Sequence, residues 1–249
     1  DFPSRTASHG DTVALDAVTA RWDLRAPLTP PVTFTMAPGE RIALTGPSGS
    51  GKSTLAAVLL RFLDAATGDA RLGGADLEHL APDDVRRQVG LVDDAPHVFA
   101  TTVAENVRLA RPAASDAEVE DAVRRAHLGE WLDGLPDGLG TWLGTGHGGL
   151  SGGERARLGV ARSLLAEQPV LVLDEPTAHL DHPTAQALAR ELLAGERGRS
   201  VLWITHGTAG LDLVDRTVRL EQQAEGPAAS GESARTGADR AGRRWTHDH

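Results

Sequence analysis

Several residue types are scarce or missing in this sequence of 249 residues. It has no cysteine, no tyrosine and a single methionine, and Lys52 is the one lysine among its 25 basic residues. Without cysteine the chain can form neither a disulfide nor a thiolate metal site. No apolar run approaches the roughly 18 residues that a membrane-spanning helix requires, because even the segment 55–63 is interrupted by Arg61. With no signal-peptide pattern, the sequence predicts a cytoplasmic setting.

Charge and composition set further limits. The net charge of -10 argues against a broadly nucleic-acid-binding surface, which needs a basic field to attract phosphates, although a local basic patch stays open. With 40% hydrophobic and 24% charged residues, the sequence predicts one globular domain with subdivisions over residues 1–222. Because the sequence starts at Asp1 and its one methionine is Met36, we expect an excised or processed fragment.

The pattern of apolar segments predicts an α/β fold. Short apolar segments up to residue 44, separated by turns with Pro and Gly, indicate an antiparallel β edge. From residue 151 onward, strands alternate with helices, which indicates a mainly parallel sheet covered on both faces. Residues of about 97–167 are predicted to form a helical part, and residues 223–249 a disordered tail. The predicted strands are 13–20, 32–35, 41–44, 89–92, 170–173 and 201–205, and the predicted helices are 52–63, 101–110, 115–128, 151–167 and 183–194.

Residues 46–54 read Gly-Pro-Ser-Gly-Ser-Gly-Lys-Ser-Thr and satisfy the phosphate-binding pattern GxxxxGK[ST], in the required position between a strand and a helix. Glycines let successive backbone N–H groups face a β-phosphate, Lys52 reaches the β- and γ-phosphates, and Ser53 is placed to bind Mg²⁺. A Gly-rich turn that merely opens a helix is the competing interpretation. The lone lysine argues against it, because a compact ammonium fits among phosphate oxygens. The predicted nucleotide contacts of this loop are Gly46, Ser48, Gly49, Ser50, Gly51, Lys52, Ser53 and Thr54.

Residues 150–154, Leu-Ser-Gly-Gly-Glu, begin a predicted helix. Taken alone, Ser151 and Glu154 form an ordinary capping box, like Ser115 and Glu118 at the start of the helix 115–128. The order of motifs reverses that interpretation, because the segment resembles the LSGGQ signature of the ABC ATPase family and precedes an apolar strand that ends in two carboxylates. The resemblance covers residues 13–220. It implies a P-loop ATPase fold of the ABC type, with a mainly parallel core sheet, an antiparallel β edge and an α-helical subdomain.

The same resemblance assigns further residues. The strand 170–173 with Asp174 and Glu175 resembles the Walker B strand, which implies that Asp174 binds Mg²⁺ and Glu175 orients or deprotonates the attacking water. A core strand that runs into an Asp-Glu-Pro turn is the alternative. His206, at the end of the strand 201–205, resembles the switch histidine that bonds the γ-phosphate. Asp181 ends a segment that resembles the D-loop, which implies a contact with nucleotide, and is also a candidate helix cap. Trp22 stands where an aromatic residue stacks on adenine, although most tryptophans are core residues.

The family resemblance implies a mechanism. In this family two ATP molecules are buried between two domains, and the phosphate loop of one domain faces the signature of the other. ATP and Mg²⁺ are therefore expected as cofactors, with Lys52, Glu175 and His206 as catalytic residues and a second domain of this kind as partner. A transmembrane domain is expected upstream on the same polypeptide, at the cytoplasmic face of a bacterial inner membrane, and nucleic acid is not expected as a partner. The residues implied to act in trans are Ser151, Gly152, Gly153 and Glu154.

Two positions depart from the family pattern. Residues 89–106 resemble the exporter Q-loop region, but Asp94 stands where a glutamine is usual. A shorter, charged side chain can still meet Mg²⁺ directly or through water, so Asp94 joins Ser53 and Asp174 as a predicted metal ligand. Residues 141–149 resemble the exporter X-loop, with Thr145 in place of a glutamate. Such asymmetry suits a heterodimeric exporter, and both segments resemble those of the CydC-type subunit of the bacterial thiol-reductant exporter linked to cytochrome bd assembly.

The sequence also bears on four other functions. A lipid, peptide or drug exporter of the same family has the same motifs, because none of them contacts the transported molecule. A non-transport ABC ATPase is disfavoured, because the sequence has neither a long coiled-coil insertion nor a second cassette. An importer ATPase is normally a separate polypeptide, and a P-loop GTPase or small-molecule kinase lacks the signature. In the tail, His247 and His249 are expected to be solvated rather than bound to a metal.

Overall fold

The computed structural model describes residues 12–94, 96–144, 150–178, 180–195 and 198–221. The predicted tail 223–249 lies outside the described residues. The strands are β1 Val13–Thr19, β2 Val32–Met36, β3 Arg41–Thr45, β4 Thr67–Leu72, β5 Ala75–Asp76, β6 Val89–Val92, β7 Thr101–Thr102, β8 Trp142–Leu143, β9 Val170–Asp174, β10 Ser200–Thr205 and β11 Arg216–Arg219. The helices are α1 Lys52–Leu59, α2 Pro82–Gln88, α3 Val103–Arg108, α4 Asp116–Arg125, α5 Gly129–Asp133, α6 Gly152–Leu165 and α7 His182–Gly195, and short 3-10 turns span Leu77–His79 and Gly138–Gly140.

A parallel sheet forms the centre of the fold, as predicted. Its strand order is β11-β3-β10-β9-β6, and each neighbouring pair is parallel. The run Val170–Leu173 of β9 is buried on both faces. Leu171 and Leu173 belong to one hydrophobic cluster, and Val170 and Val172 to another. The sheet therefore separates two cores, which explains why its strands are continuously apolar.

The antiparallel β edge is confirmed for its first two segments and wrong for the third. β1 pairs antiparallel with β2 and β4, within a sheet of order β2-β1-β4-β5. β3 was expected beside them, but it lies in the parallel sheet between β11 and β10. The physical reason is that Ile42, Ala43 and Leu44 are all fully buried. A strand with no polar face requires cover on both sides, which only the parallel sheet provides.

Helices α1, α4 and α6 end earlier than the sequence predicted. The residues that follow them include Arg61, His127 and Glu167, with φ values of 55°, 58° and 57°. A left-handed residue ends a helix, and glycine or asparagine usually takes that position. Because arginine, histidine and glutamate are all common inside helices, the sequence contains no residue that predicts a helix end at these positions. The capping box of Ser115 and Glu118 at the start of α4 is confirmed.

Helices α3, α4 and α5 form a layer that packs against α6 through one hydrophobic cluster. Val103, Val119 and Leu158 are fully buried in it. This layer falls within the helical part predicted for residues of about 97–167. Over the described stretches, every helix is too short or too polar to pass through a lipid bilayer.

Candidate functional site

Several of the predicted site residues, together with Asp93, lie where four parallel strands end. β3 leads into the loop 46–51, β9 into Asp174 and Glu175, β10 into His206, and β6 into Asp93. Because all four strands are parallel, their carboxyl ends lie along one edge of the sheet. Ligands of open α/β sheets bind at such edges, so the topology itself brings these residues together.

The loop between β3 and α1 depends on glycine. Gly46, Gly49 and Gly51 have φ values of 154°, 78° and 94°, a range that other residues rarely adopt. A Cβ on Gly46 would lie 2.7 Å from the carbonyl oxygen of Leu220. Gly51 precedes α1 and offers no side-chain cap to its first N–H groups, and a helix start of this kind attracts phosphate. The other predicted contacts, Ser48, Ser50, Ser53 and Thr54, lie in this loop or in the first turn of α1.

Replacing Gly51 by alanine is expected to destabilise the chain strongly. The new Cβ would lie 2.3 Å from Cγ2 of Thr29, and the left-handed φ would add strain. Together these effects should lower the free energy of unfolding by about 2–5 kcal/mol, measured by denaturant unfolding. The matched control is Gly49→Ala, because a Cβ there meets no atom within 4 Å and should cost only about 1–2 kcal/mol of strain. Equal losses in both variants would show that the Thr29 contact is unimportant.

Lys52 joins the loop to the carboxylates of β9. Its Nζ donates to the carbonyl oxygens of Gly46 and Pro47, each at 3.0 Å, and lies 3.8 Å from Oε1 of Glu175. The side chain is only 6% exposed. A buried cation held by neutral carbonyls and one carboxylate keeps positive potential available for a phosphate at this edge.

Asp174 is half-buried and carries an unsatisfied oxygen. Burial raises the pKa of its carboxyl; a hydrogen bond with Ser53 and the charge of Lys52 lower that pKa, and the charges of Glu175 and Asp93 raise it further. Its Oδ1 is buried and accepts no hydrogen bond from the described residues. A carboxylate oxygen in that condition beside a serine hydroxyl suits a hard divalent cation.

The oxygen ligands at this edge fit Mg²⁺ better than a cation that needs a complete protein cage. Among the residues that the structure describes, no three His, Asp or Glu side chains are grouped to hold a metal. Mg²⁺ usually takes one or two protein ligands and completes its shell with phosphate and water oxygens. Ser53 and Asp174 can provide that minimal set.

Glu175 and His206 form a pair at the end of β9 and β10. Nδ1 of His206 lies 2.7 Å from Oε2 of Glu175, and the backbone N of His206 donates to the same oxygen at 3.3 Å. Glu175 has a φ of 52°, which strains a residue other than glycine and is common at active sites. The histidine ring is 60% exposed. The pair therefore holds a carboxylate in a fixed orientation beside an imidazole ring that is open to solvent.

Asp93 is a residue of this edge that the sequence interpretation missed. Its charge helps to raise the pKa of Asp174, so its carboxylate lies within electrostatic reach of the predicted metal ligand. The signal was its position directly after β6, which neighbours β9. The family pattern points to Asp94 instead, and a metal-binding role for Asp94 stays a prediction. Thr145 lies outside the described residues.

Trp22 lies on the loop after β1 and is 65% exposed. Thr29 closes this loop, since its Oγ1 accepts from the N of Ala20 at 3.0 Å and its own N donates to the O of Ala20 at 2.9 Å. The same Thr29 packs against Gly51. The tryptophan loop is thus anchored next to the phosphate loop, and an exposed aromatic face is suited to stacking on a base.

The signature residues begin α6. Oγ of Ser151 accepts from the N of Glu154 at 3.2 Å, and the Glu154 carboxylate accepts from the N of Ser151 at 2.7 Å. Ser151 and Gly152 are exposed, and a Cβ on Gly152 would meet no atom within 4 Å, while one on Gly153 would approach Arg157. None of the hydrogen bonds and ion pairs of the described residues joins this segment to residues 46–54 of the same chain. The helix start is free to face another molecule.

Asp181 caps α7, as one of its two predicted roles required. Its carboxylate accepts from the N of Thr184 at 3.1 Å and from the hydroxyl of Thr184 at 2.9 Å. The backbone bond and then the hydroxyl bond lower the pKa of Asp181. Its predicted contact with nucleotide stays a prediction, and His179 in the same segment lies outside the described residues.

Comparison with known proteins adds independent findings. The sequence model of the family described as "ABC transporter" matches residues 30–178. The chain is 40% identical over 209 residues to the mycobactin import ATP-binding/permease protein IrtA of Mycolicibacterium smegmatis, covering 84% of the chain and 24% of that protein. It is 40% identical over 190 residues to the ATP-dependent lipid A-core flippase of Burkholderia thailandensis, covering 76% of the chain and 32% of the flippase.

A solved structure is similar as well. A bacterial Atm1-family ABC exporter with ATP bound matches with a TM-score of 0.79 and 31% identity, over 90% of this chain and 40% of that one. The chain thus spans about a quarter to a third of the curated relatives that it matches.

Proposed function

Because this chain belongs to the ABC transporter family and is one of its ATPase domains, we propose that it binds ATP with Mg²⁺ at the sheet edge and hydrolyses it while paired with a second such domain. The fold is the P-loop fold of ABC ATPases. The observation that carries the proposal is the convergence of Lys52, Asp174 and Glu175 on one edge of the sheet. These groups are the minimum needed to neutralise a triphosphate and to direct water at it.

Each residue of the edge has a task in this proposal. The backbone N–H groups of the loop 46–51 and the ammonium of Lys52 bind the β- and γ-phosphates. Ser53 and Asp174 hold Mg²⁺, which when bound neutralises charge on the phosphate oxygens. Glu175 orients the attacking water and accepts its proton. His206 keeps Glu175 in place through the 2.7 Å contact, and its exposed ring is available to the γ-phosphate.

The signature is proposed to act on the ATP of the partner domain. The start of α6 offers backbone donors and the positive end of a helix, and in its own chain it makes no polar contact to the phosphate loop among the described residues. Placed against a γ-phosphate bound by the partner, Ser151, Gly152 and Gly153 would stabilise the negative charge of that phosphate. ATP then joins the two domains, and hydrolysis weakens the joint.

We propose that opening and closing of the paired ATPase domains moves attached membrane segments. A groove of about 420 Å³ beside β6 and α6 is lined by Leu60, Phe62, Leu91 and Arg162 among others. Phe62 and Leu91 are exposed by 54% and 37%. We propose this groove as the contact surface for a transmembrane domain of an exporter-type half-transporter, at the cytoplasmic face of a bacterial inner membrane.

The transported substance is a finer question. The relatives include one named for mycobactin import and one named for lipid A flipping, so members with similar ATPase domains move different molecules. The role in thiol-reductant export for cytochrome bd assembly, with a heterodimeric partner, rests on the amino-acid sequence of residues 89–106 and 141–149. That role stays a prediction. Another exporter of lipid, peptide or drug, or a non-transport ABC ATPase, is the alternative.

A complementation experiment tests the shared site. In the full chain, Lys52→Ala should abolish ATP binding, and Gly152→Asp should abolish hydrolysis by placing a carboxylate opposite the partner's γ-phosphate. Each variant alone is expected to be inactive. A mixture should regain activity up to roughly a quarter of wild type, because random pairing makes half the dimers mixed and each mixed dimer has one intact site. The measurement is steady-state phosphate release.

The matched control is a mixture of Lys52→Ala with Glu175→Gln. Both changes damage the half of the site that surrounds the chain's own ATP, so this mixture should stay inactive. Regained activity in the control, or none in the first mixture, would refute a site shared between two copies of this chain.

A further inference from the structure

Arg162, in the last turn of α6, carries a charge that pairs with no carboxylate of the described residues. Its Nε donates to the O of Asn106 at 2.9 Å, Nη2 to Oδ1 of Asn106 at 2.9 Å, and Nη1 to the O of His97 at 2.8 Å. Among the residues that the structure describes, Arg162 forms no ion pair. Burial accordingly lowers the pKa of its guanidinium. A partly buried cation met only by neutral oxygens costs stability, so its presence calls for a reason other than stability.

Asn106 extends this contact into the segment that follows β6. The side chain is fully buried. Its Oδ1 accepts from the N of Phe99 at 3.0 Å, and its Nδ2 donates to the O of Phe99 at 3.0 Å and to the O of Thr102 at 3.0 Å. Asn106 thereby replaces a strand partner for this stretch of backbone. Arg162 binds the fixed backbone at two points and lies 6.0 Å from the Phe99 ring.

The two parts joined by Arg162 lead to different places. The segment 96–102 connects back to β6 and Asp93, beside the chain's own metal ligand Asp174. Helix α6 runs the other way to Ser151, roughly 16 Å distant at 1.5 Å per residue. A planar guanidinium on α6 that donates to His97 and to Asn106 at once fixes the direction of the helix against these residues, because its donors have a fixed geometry that an ammonium lacks.

We propose that Arg162 is a positioning residue for the signature: it holds α6 in the direction that lets Ser151 and Gly152 meet the ATP of the partner chain. The inference rests on the proposed function, in which the signature acts in trans. Arg162 touches neither ATP nor Mg²⁺ in this scheme. Its effect reaches the partner's site through the rigid helix, and its own chain's phosphate loop does not need it.

Arg162→Lys in the full chain tests the proposal. Lysine keeps the positive charge but lacks the planar set of N–H donors of the guanidinium. Phosphate release should therefore fall about tenfold or more, because small misplacements of a binding group have effects of that size. ATP affinity of the separate chain should not change. The matched control is Arg157→Lys on the same helix, whose guanidinium pairs with Glu191 of α7. It lies nearer the signature and should keep at least half of the activity.

Mixing experiments separate the proposed role from a general structural one. With Lys52→Ala chains, Arg162→Lys chains should regain activity, because the mixed dimer combines an intact phosphate loop with an intact signature. With Gly152→Asp chains they should regain none, because both signatures are then defective. The reverse pattern would overturn the proposal by placing the role of Arg162 at its own chain's ATP. Failure of both mixtures, or full activity of Arg162→Lys alone, would also overturn it.

Two further readings keep the result interpretable. If the melting temperature of Arg162→Lys is far below that of Arg157→Lys, the same mixtures are made with Arg162→Gln, which no longer buries a charge. Arg162→Gln chains must regain activity with Lys52→Ala chains and regain none with Gly152→Asp chains. The mixture of Lys52→Ala with Gly152→Asp serves as the reference. If this reference mixture stays inactive, the shared site of the proposed function is wrong; if it is active, a negative result concerns Arg162 alone.

Discussion

Replacing Glu175 by glutamine is expected to lower steady-state phosphate release by at least about 100-fold, the range expected when a general base is lost. Glutamine has nearly the same size and can keep a hydrogen bond to His206, but its amide cannot accept the proton of the attacking water. ATP binding should persist or tighten, because the carboxylate that lies 3.8 Å from Lys52 Nζ no longer competes with phosphate for that cation. Phosphate release and equilibrium ATP binding are the two measurements.

The matched control for this prediction is Glu167→Gln. Glu167 shares the unusual backbone of Glu175, with a φ of 57° against 52°, but lies past the end of α6 and pairs with Arg111 at the surface. A glutamine there tests whether the amide is tolerated in a left-handed backbone and should leave hydrolysis unchanged. Turnover at the wild-type rate in Glu175→Gln would show that another group directs the water.

Asp174→Asn is expected to lower ATP hydrolysis and to raise the stability of the nucleotide-free chain. Hydrolysis supported by Mg²⁺ should fall by about 100-fold or more, because a neutral amide is a poor ligand for a hard divalent cation. In the absence of nucleotide and Mg²⁺ the chain should become more stable at neutral pH. The reason is that burial and the charges of Glu175 and Asp93 oppose the ionised form of Asp174. Each kcal/mol regained raises the melting temperature by about 2–4 °C in a domain of this size.

The pH dependence of that stabilisation has a definite sign. The pKa of Asp174 is higher in the folded chain than in the unfolded chain, so the folded form binds its proton more readily and loses stability as the pH rises through that window. The advantage of Asp174→Asn should therefore be greatest at neutral pH and vanish as the pH falls through the raised pKa.

Asp133→Asn supplies the opposite case. Arg124 lowers the pKa of Asp133, so this variant should lose rather than gain stability at neutral pH, and the loss should disappear in acid. A nucleotide-free Asp174→Asn chain that is less stable than wild type at pH 7 would contradict the view that Asp174 is held in an unfavourable charged state.

The sequence was most informative where a local pattern produces a local structure. The turn of the loop 46–51 and the caps at Ser115, Ser151 and Asp181 were predicted from residues a few positions apart, and the structure confirms their conformations. The position of Asp174 and Glu175 at a strand end followed from the apolar run before them. Their approach to Lys52 followed only from the family resemblance and is now observed.

The sequence was least informative where distant segments meet. Thr29 packs on Gly51, and Asp93 acts on Asp174, through contacts that no spacing along the chain reveals. The strand β4, Thr67–Leu72, was missed because most of its side chains are exposed and it therefore lacks an apolar run. Its pairing with β1, rather than its own composition, makes it a strand.

In the proposed dimer, the reciprocal bonds between Ser151 and Glu154 have a consequence for how tightly two chains can pair. They form within four consecutive residues, so the surface offered to a neighbouring nucleotide has its shape before any encounter. Little chain entropy remains to be lost on association, which favours tight pairing from a small contact area. The glutamate nevertheless brings negative charge toward an anionic ligand. The cap therefore weakens the electrostatic attraction to the nucleotide while it keeps the binding surface in its final shape.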